Sequence, residues 1–342
     1  LLLDMVIALA LIRSGLVRKK DFLLPYDEQT LTDTIWRFMS RYEQTAVATY
    51  QERDAIARLV EWGGQSLRQE GHIYYLGHGT LGLLGLVDAS ECPPTFGADF
   101  GDVRGFVEGG WTTLLGPGQD ISHVGPEYRI TPEEFEATIL PTITSNDLIV
   151  SLGQGEHAPW QRSYLKEARS RGARIARVLI DPGAAVEDYL DLQVGVSLEP
   201  AGFFPDNLAF GELATKLVIN ALTTGAHILS GKVYENRMID LKISNNKLYY
   251  RTLGIIRALM GVDEATAKDS LLRSIFAEDR LSPEHRNAKV SAYVDRATGA
   301  KKIVPRALLL ATGKFTLEQA TQALHETPIV RVLIEKYISK NA

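Results

Sequence analysis

Between Gly71 and Leu198 the chain repeats one pattern: a short apolar run, a glycine-bearing turn, then a helical stretch. Ile73–Leu76, Val103–Val107, Leu148–Leu152, Arg174–Ile180 and Gln193–Leu198 read as strands, with Leu83–Val87 and Pro159–Arg171 as helices between them. Such alternation predicts an α/β fold, a mostly parallel five-stranded sheet with helices on both faces. The carboxyl ends of its strands are where open sheets of this kind take ligands.

The flanks read as helical. Asp27–Gln69 carries helical segments that lead into the first strand, and Leu208–Leu229 predicts a long apolar helix broken near Gly225. Helices at about 244–261, 264–277, 304–313, 316–325 and 328–340 predict an all-α tail without strands. Gly109–Gly125 has no period and reads as a loop. Residues 1–16 read as the end of a buried helix closed by Gly15, followed by a solvated linker through Arg18-Lys19-Lys20. Asp4 interrupts that apolar run and Arg13 ends it short of the ~20 apolar residues of a membrane span. No membrane segment is therefore expected. The pattern is already under way at Leu1, which predicts that further residues precede it.

A net charge of −5 over 342 residues supplies no general basic field for nucleic acid or an anionic membrane, so a phosphate site has to be local. Cys92 is the single cysteine, which excludes intrachain disulfides and suits a cytoplasmic protein. The seven histidines show no metal-ligand spacing, and neither a metal nor a cofactor is expected. No Ser-His-Asp order with a nucleophile elbow is visible.

Three stretches could carry chemistry. In Gly77-His78-Gly79-Thr80-Leu81-Gly82 the backbone N–H groups and the Thr80 hydroxyl could cradle a phosphate, or the glycines could make a tight βα turn that holds nothing. Asp88-Ala89-Ser90-Glu91-Cys92-Pro93-Pro94-Thr95-Phe96-Gly97 predicts a helix that exits rigidly at the two prolines. Glu91 within it could serve proton transfer if partly buried, or be a capping or surface acid. Thr224-Gly225-Ala226-His227, Gly231-Lys232 and Ser244-Asn245-Asn246-Lys247-Leu248 form the third, where Lys247 could meet a phosphate or be a solvated lysine beside a helix start.

The run from Gly77 to Gly97 resembles the signature of the N-acetylmuramic acid 6-phosphate etherases, which carry a sugar isomerase (SIS) domain. Thr95-Phe96-Gly97-Ala98-Asp99-Phe100, Asp102–Phe106, Thr224–His227 and Ser244–Leu248 are more similar to the glucokinase regulatory protein family. The resemblance implies a three-layer SIS domain plus an all-α lid. It divides the chain into residues 1–70, the closing helix of a preceding SIS domain with linker and lead-in helices, 71–230, the SIS domain, and 231–342, the lid.

Against the etherases several polar groups are lost. Their Gly-Thr-Ser-Gly-Arg loop is Gly79-Thr80-Leu81-Gly82-Leu83, and their Ser-Gly-Arg-Thr-Pro loop is replaced by Gly153-Gln154-Gly155-Glu156-His157-Ala158-Pro159. Their Ser-Ser-Arg-Met-Lys segment is gone around Asn207–Glu212, and their second catalytic Glu has no counterpart between Glu108 and Thr131. The resemblance therefore implies a regulator that binds a phosphorylated sugar, a fructose phosphate or amino-sugar 6-phosphate, in a site shared with a preceding or partner SIS domain. Glu91 and Lys247 are the implied contacts, with Asn245 and Thr80 as weaker ones, and a sugar kinase is the implied partner. The alternative is a carbon-oxygen lyase of the etherase type, releasing D-lactate with Glu91 as acid/base. A sugar-phosphate isomerase is the lesser expectation, since its usual His and paired carboxylates are not evident.

Overall fold

The computed structural model describes residues 28–112, 128–181, 183, 186–198 and 208–337. The expected closing helix at 1–16 and the linker after it lie outside these residues, as does most of the loop expected at 109–125. Helices α1 (Glu28–Gln51) and α2 (Arg53–Arg68) lead into strand β1 (Ile73–Gly77), helix α3 (Gly79–Phe96) and strand β2 (Val103–Val107). A helical segment over 132–142 precedes strand β3 (Leu148–Gln154), helix α4 (Pro159–Ser170) and strands β4 (Arg174–Ile180) and β5 (Leu192–Val196). The five strands form one sheet in the order β2-β1-β3-β4-β5, and β1, β3, β4 and β5 pair in parallel. The apolar runs of β1 and β3 are buried almost throughout, as strands covered on both faces must be. Tyr74, Leu76, Phe106, Phe135, Ile149, Leu165, Ile175 and Tyr189 pack in one core on the sheet, with Phe106 and Phe135 edge to face at 5.2 Å.

Helix α5 (Leu208–Leu229) precedes a two-residue hairpin, β6 (Val233–Tyr234) and β7 (Arg237–Met238). Glu235 and Asn236 both take positive φ at its turn, the geometry that a tight hairpin demands. Seven helices follow: α6 (Asn246–Met260), α7 (Glu264–Phe276), α8 (Pro283–Asn287), α9 (Val290–Thr298), α10 (Ile303–Ala311), α11 (Leu317–Glu326) and α12 (Val330–Tyr337). The apolar faces of all of these but α8 share one core, which includes Ile256, Leu271, Val304 and Leu308.

Three expectations change. Pro93 and Pro94 do not end a short helix; they lie inside α3, which continues to Phe96. A proline lacks the N–H that would reach the carbonyl four residues back, so Ala89 and Ser90 lose only that donor, and Gly97 N still bonds Pro93 O at 3.0 Å. Helix α5 runs unbroken through Gly225, whose cost of about 1 kcal/mol is outweighed by the buried Ile219, Leu222, Ala226 and His227 around it. The tail does contain strand, in the β6–β7 hairpin.

By their contacts the described residues divide into two compact units. One takes α1, the first part of α2, Ile73–Asp88 and Gly105–Leu222; the other takes Gly63–His72, Ala89–Arg104 and the chain from Thr223 onward. The boundary passes through α3 immediately after Asp88.

Candidate functional site

Where β1 turns into α3, the glycines answer a packing demand. A Cβ on Gly77 would lie 2.6 Å from Gly82 Cα, and one on Gly82 would lie 2.7 Å from Gly77 C, so the two backbones touch. Gly79 takes φ +56, and Thr80 beside it is exposed. The turn is a tight βα junction with one hydroxyl on its surface.

Eight residues after Thr80, Asp88 is 1% exposed. It accepts the Tyr75 hydroxyl at Oδ2 (3.0 Å) and the Lys216 ammonium at Oδ1 (3.1 Å), so this residue of the signature is a buried carboxylate with both oxygens satisfied. Three residues later Glu91 lies on the exposed side of the same helix, while Cys92 is buried.

The end of the signature is held in the second unit. The Phe96 ring stacks on His227, with centroids 4.3 Å apart and planes within 7°. His227 is completely buried and its Nδ1–H donates to Thr223 O at 2.7 Å. Burial, with the Lys232 charge adding to it, pushes the imidazole down to about 4, so it is neutral at ordinary pH. Gly97 takes φ +60, and a Cβ there would lie 2.0 Å from Asp240 O. Lys232 Nζ donates to Gly97 O at 3.3 Å and lies 3.8 Å from the buried Asp240 carboxylate, which Lys302 also pairs. Burial pushes the Asp240 carboxyl up, although Lys302 and Lys232 oppose it, and pushes the Lys232 ammonium down. Sequence reasoning quoted Phe96, Gly97, His227 and Lys232 but did not bring them together. Asp240 and Lys302 carried no signal.

Asn245 caps α6: its side chain accepts from Leu248 N at 2.9 Å. Asn245, Asn246 and Lys247 line a concavity of about 540 Å³ with Ser291, Val294 and Asp295. Lys247 is exposed there, and Glu91 is not among the lining residues.

In the first unit a second polar cluster went unforeseen. Ser151, on β3, and Arg177, opposite it on β4, are 1% and 2% exposed. Ser151 Oγ lies 2.8 Å from His157 Nε2, and His157 Nδ1 bonds the Glu187 carboxylate and the Tyr189 hydroxyl. This has the connectivity of a Ser-His-acid nucleophile, but Ser151 sits in the interior of the sheet where no substrate reaches it. Burial, then the Arg177 charge, pushes the His157 imidazole down. Burial resists ionisation of Glu187, but the Tyr189 hydrogen bond with His157 and Arg177 outweighs it and holds the carboxyl below its ordinary value. The available signal was an arginine inside the otherwise apolar run of β4. Among the described residues no group of three His, Cys, Asp or Glu side chains could hold a metal ion, and no helix is long and apolar enough to cross a membrane.

Residues 50–154 match the family model for the second SIS domain of glucokinase regulatory protein, and residues 235–334 match that for its C-terminal lid domain. Glucokinase regulatory protein of Xenopus laevis is 30% identical over 328 residues, 93% of this chain and 52% of that protein. The chain spans about half the length of the glucokinase regulatory proteins it matches. N-acetylmuramic acid 6-phosphate etherase of Crocosphaera subtropica is 31% identical over 249 residues, covering 72% of this chain and 79% of the enzyme. That of Yersinia pestis is 34% identical over 222 residues, 65% of this chain and 73% of the enzyme. With its parallel sheet, its helical tail and these matches, the chain belongs to the family of SIS-domain proteins that includes the N-acetylmuramic acid 6-phosphate etherases and the glucokinase regulatory proteins.

Proposed function

We propose that this chain is the second-SIS and lid portion of a sugar-phosphate-binding regulator of the glucokinase regulatory protein type. The observation that carries the reading is the order of the matches, a second SIS domain followed by a lid domain on one chain. In this reading residues 71–230 are the SIS domain, 231–342 the lid, and 1–70 the join to a preceding SIS domain that completes the ligand site. Glu91 accepts a sugar hydroxyl, Lys247 pairs with a phosphate as a point charge, and Thr80 offers a weaker hydroxyl contact. Asn245 acts through the cap that fixes the start of α6. Ligand occupancy shifts the lid and SIS pair between states and so changes affinity for a sugar kinase in the cytoplasm.

The test is calorimetric titration of the full-length protein with fructose phosphates, wild type beside Glu91→Gln and Lys247→Ala. Each variant is expected to bind about tenfold or more weakly, as loss of a charged hydrogen bond implies. Wild-type affinity in both would remove these residues from the site. The share of the etherases that the chain covers favours a second reading, a lyase that opens the lactyl ether with Glu91 as acid/base. Incubation with N-acetylmuramic acid 6-phosphate and assay of lactate separates the two, and absence of lactate excludes the lyase.

A further inference from the structure

Four donors from separate parts of the first unit converge on one carboxylate. Glu187 takes His157 Nδ1 from the turn after β3, Arg177 Nη1 from β4 at 3.4 Å, Arg162 Nε from α4 at 3.5 Å, and the Tyr189 hydroxyl from its own segment. Arg177 is almost fully buried, its Nη2 is taken by Gly155 O, and its Nε has no hydrogen-bond partner among the described residues. The other carboxylate in reach, Glu156, lies 3.7 Å from Arg162 and is exposed. Buried Arg177 therefore has Glu187 as its only paired anion among the described residues, and one of its donors is unused. Helix α4 adds little here, because Gln161 Oε1 already takes the N–H of Ala158 at 3.1 Å.

We propose that His157, Arg162, Arg177 and Tyr189 form an oxyanion cradle that the chain fills with its own Glu187. A planar carboxylate leaves a buried guanidinium incompletely used, whereas a tetrahedral phosphate presents more acceptors to the same fork. Glu187 is thus a built-in anion that closes this end of the sheet to phosphate, and a phosphorylated ligand of the whole protein is held by other groups.

The experiment measures thermal unfolding of the full chain in inorganic phosphate and in chloride at matched ionic strength, with Kd for phosphate by calorimetry. Wild type is expected to show no phosphate response that depends on Arg177. Glu187→Ala should melt lower in chloride, recover in phosphate, and bind it about tenfold or more tightly than wild type does. Glu187→Ala with Arg177→Met should lose that response. If Glu187→Ala does not fold, Glu187→Ser, which also vacates the cradle, takes its place, and the same phosphate response is expected. A Glu187 variant that folds yet responds to phosphate no more than wild type would overturn the cradle, as would an equal response in wild type. Because the probe is inorganic phosphate on a variant, a negative result leaves the roles of Glu91 and Lys247 standing.

Discussion

At the residue scale, His227 makes the second unit sensitive to acid. Its folded pKa of about 4 lies below the ~6.5 of an unfolded histidine, so between those values the folded chain holds fewer protons. The stability this site contributes is complete above about pH 6.5 and falls by about 3 kcal/mol as the pH drops toward 4. His157, also pushed down, adds its own slope. His227→Phe keeps a ring against Phe96 and removes the titration, so its denaturation midpoint should vary less between pH 6.5 and 4 than that of wild type. Parallel pH profiles would disprove this. Gly97 tests the backbone of the same knot: Gly97→Ala combines strain at φ +60 with a collision against Asp240 O, and should cost at least about 2 kcal/mol. Gly155 is the control, because φ +69 there is accompanied by open space, and Gly155→Ala should cost about 1 kcal/mol. Chemical denaturation of the two variants checks the difference.

At the element scale, the start of α6 combines a structural and a functional claim that substitution can separate. Asn245→Ala removes the cap and should lower stability by about 1 kcal/mol, while Asn245→Asp keeps it. If both variants bind ligand alike, Asn245 is a cap and nothing more. The strands were legible in the sequence because both faces are covered, which leaves largely apolar runs such as Leu148 to Leu152, broken only by Ser151. Helix α3 was misread because the two prolines cost it only the donors to Ala89 and Ser90, a loss that the helix carries through to Phe96. Helices α8 and α9 were missed because the first is a single short turn with no buried residue, and the second buries only Tyr293, Val294 and Ala297. The Glu187 cluster was illegible for another reason: His157 and Glu187 are 30 residues apart, and only the sheet brings their segments together.

At the scale of the whole molecule, the chain crosses between its two compact units five times, so neither unit is a continuous piece of sequence. Deleting everything after Ser230 removes Lys232, Asp240 and Lys302, the groups that fix Gly97 and its neighbours. Amides of 89–104 should then exchange with solvent far faster, while those of β1, β3 and β4 keep their protection. Unchanged protection at 89–104 in a hydrogen-exchange comparison would count against the assignment. The family resemblance implied a lid from residue 231, and nothing in the local sequence shows that 63–72 and 89–104 group with the chain from Thr223 onward.

The bond from Lys232 to Gly97 spans 135 residues of chain, and that distance is also an interval in time. A ribosome adding about 5–20 residues per second releases Gly97 on the order of ten seconds before Lys232 follows. Throughout that interval the end of the signature segment lacks the lysine, the aspartate and the imidazole that later secure it. Nascent chains stalled at residue 240 and released full chains should therefore differ in protease cleavage around Phe96. The segment carrying the family's signature is thus synthesised well before the residues that hold its end in place.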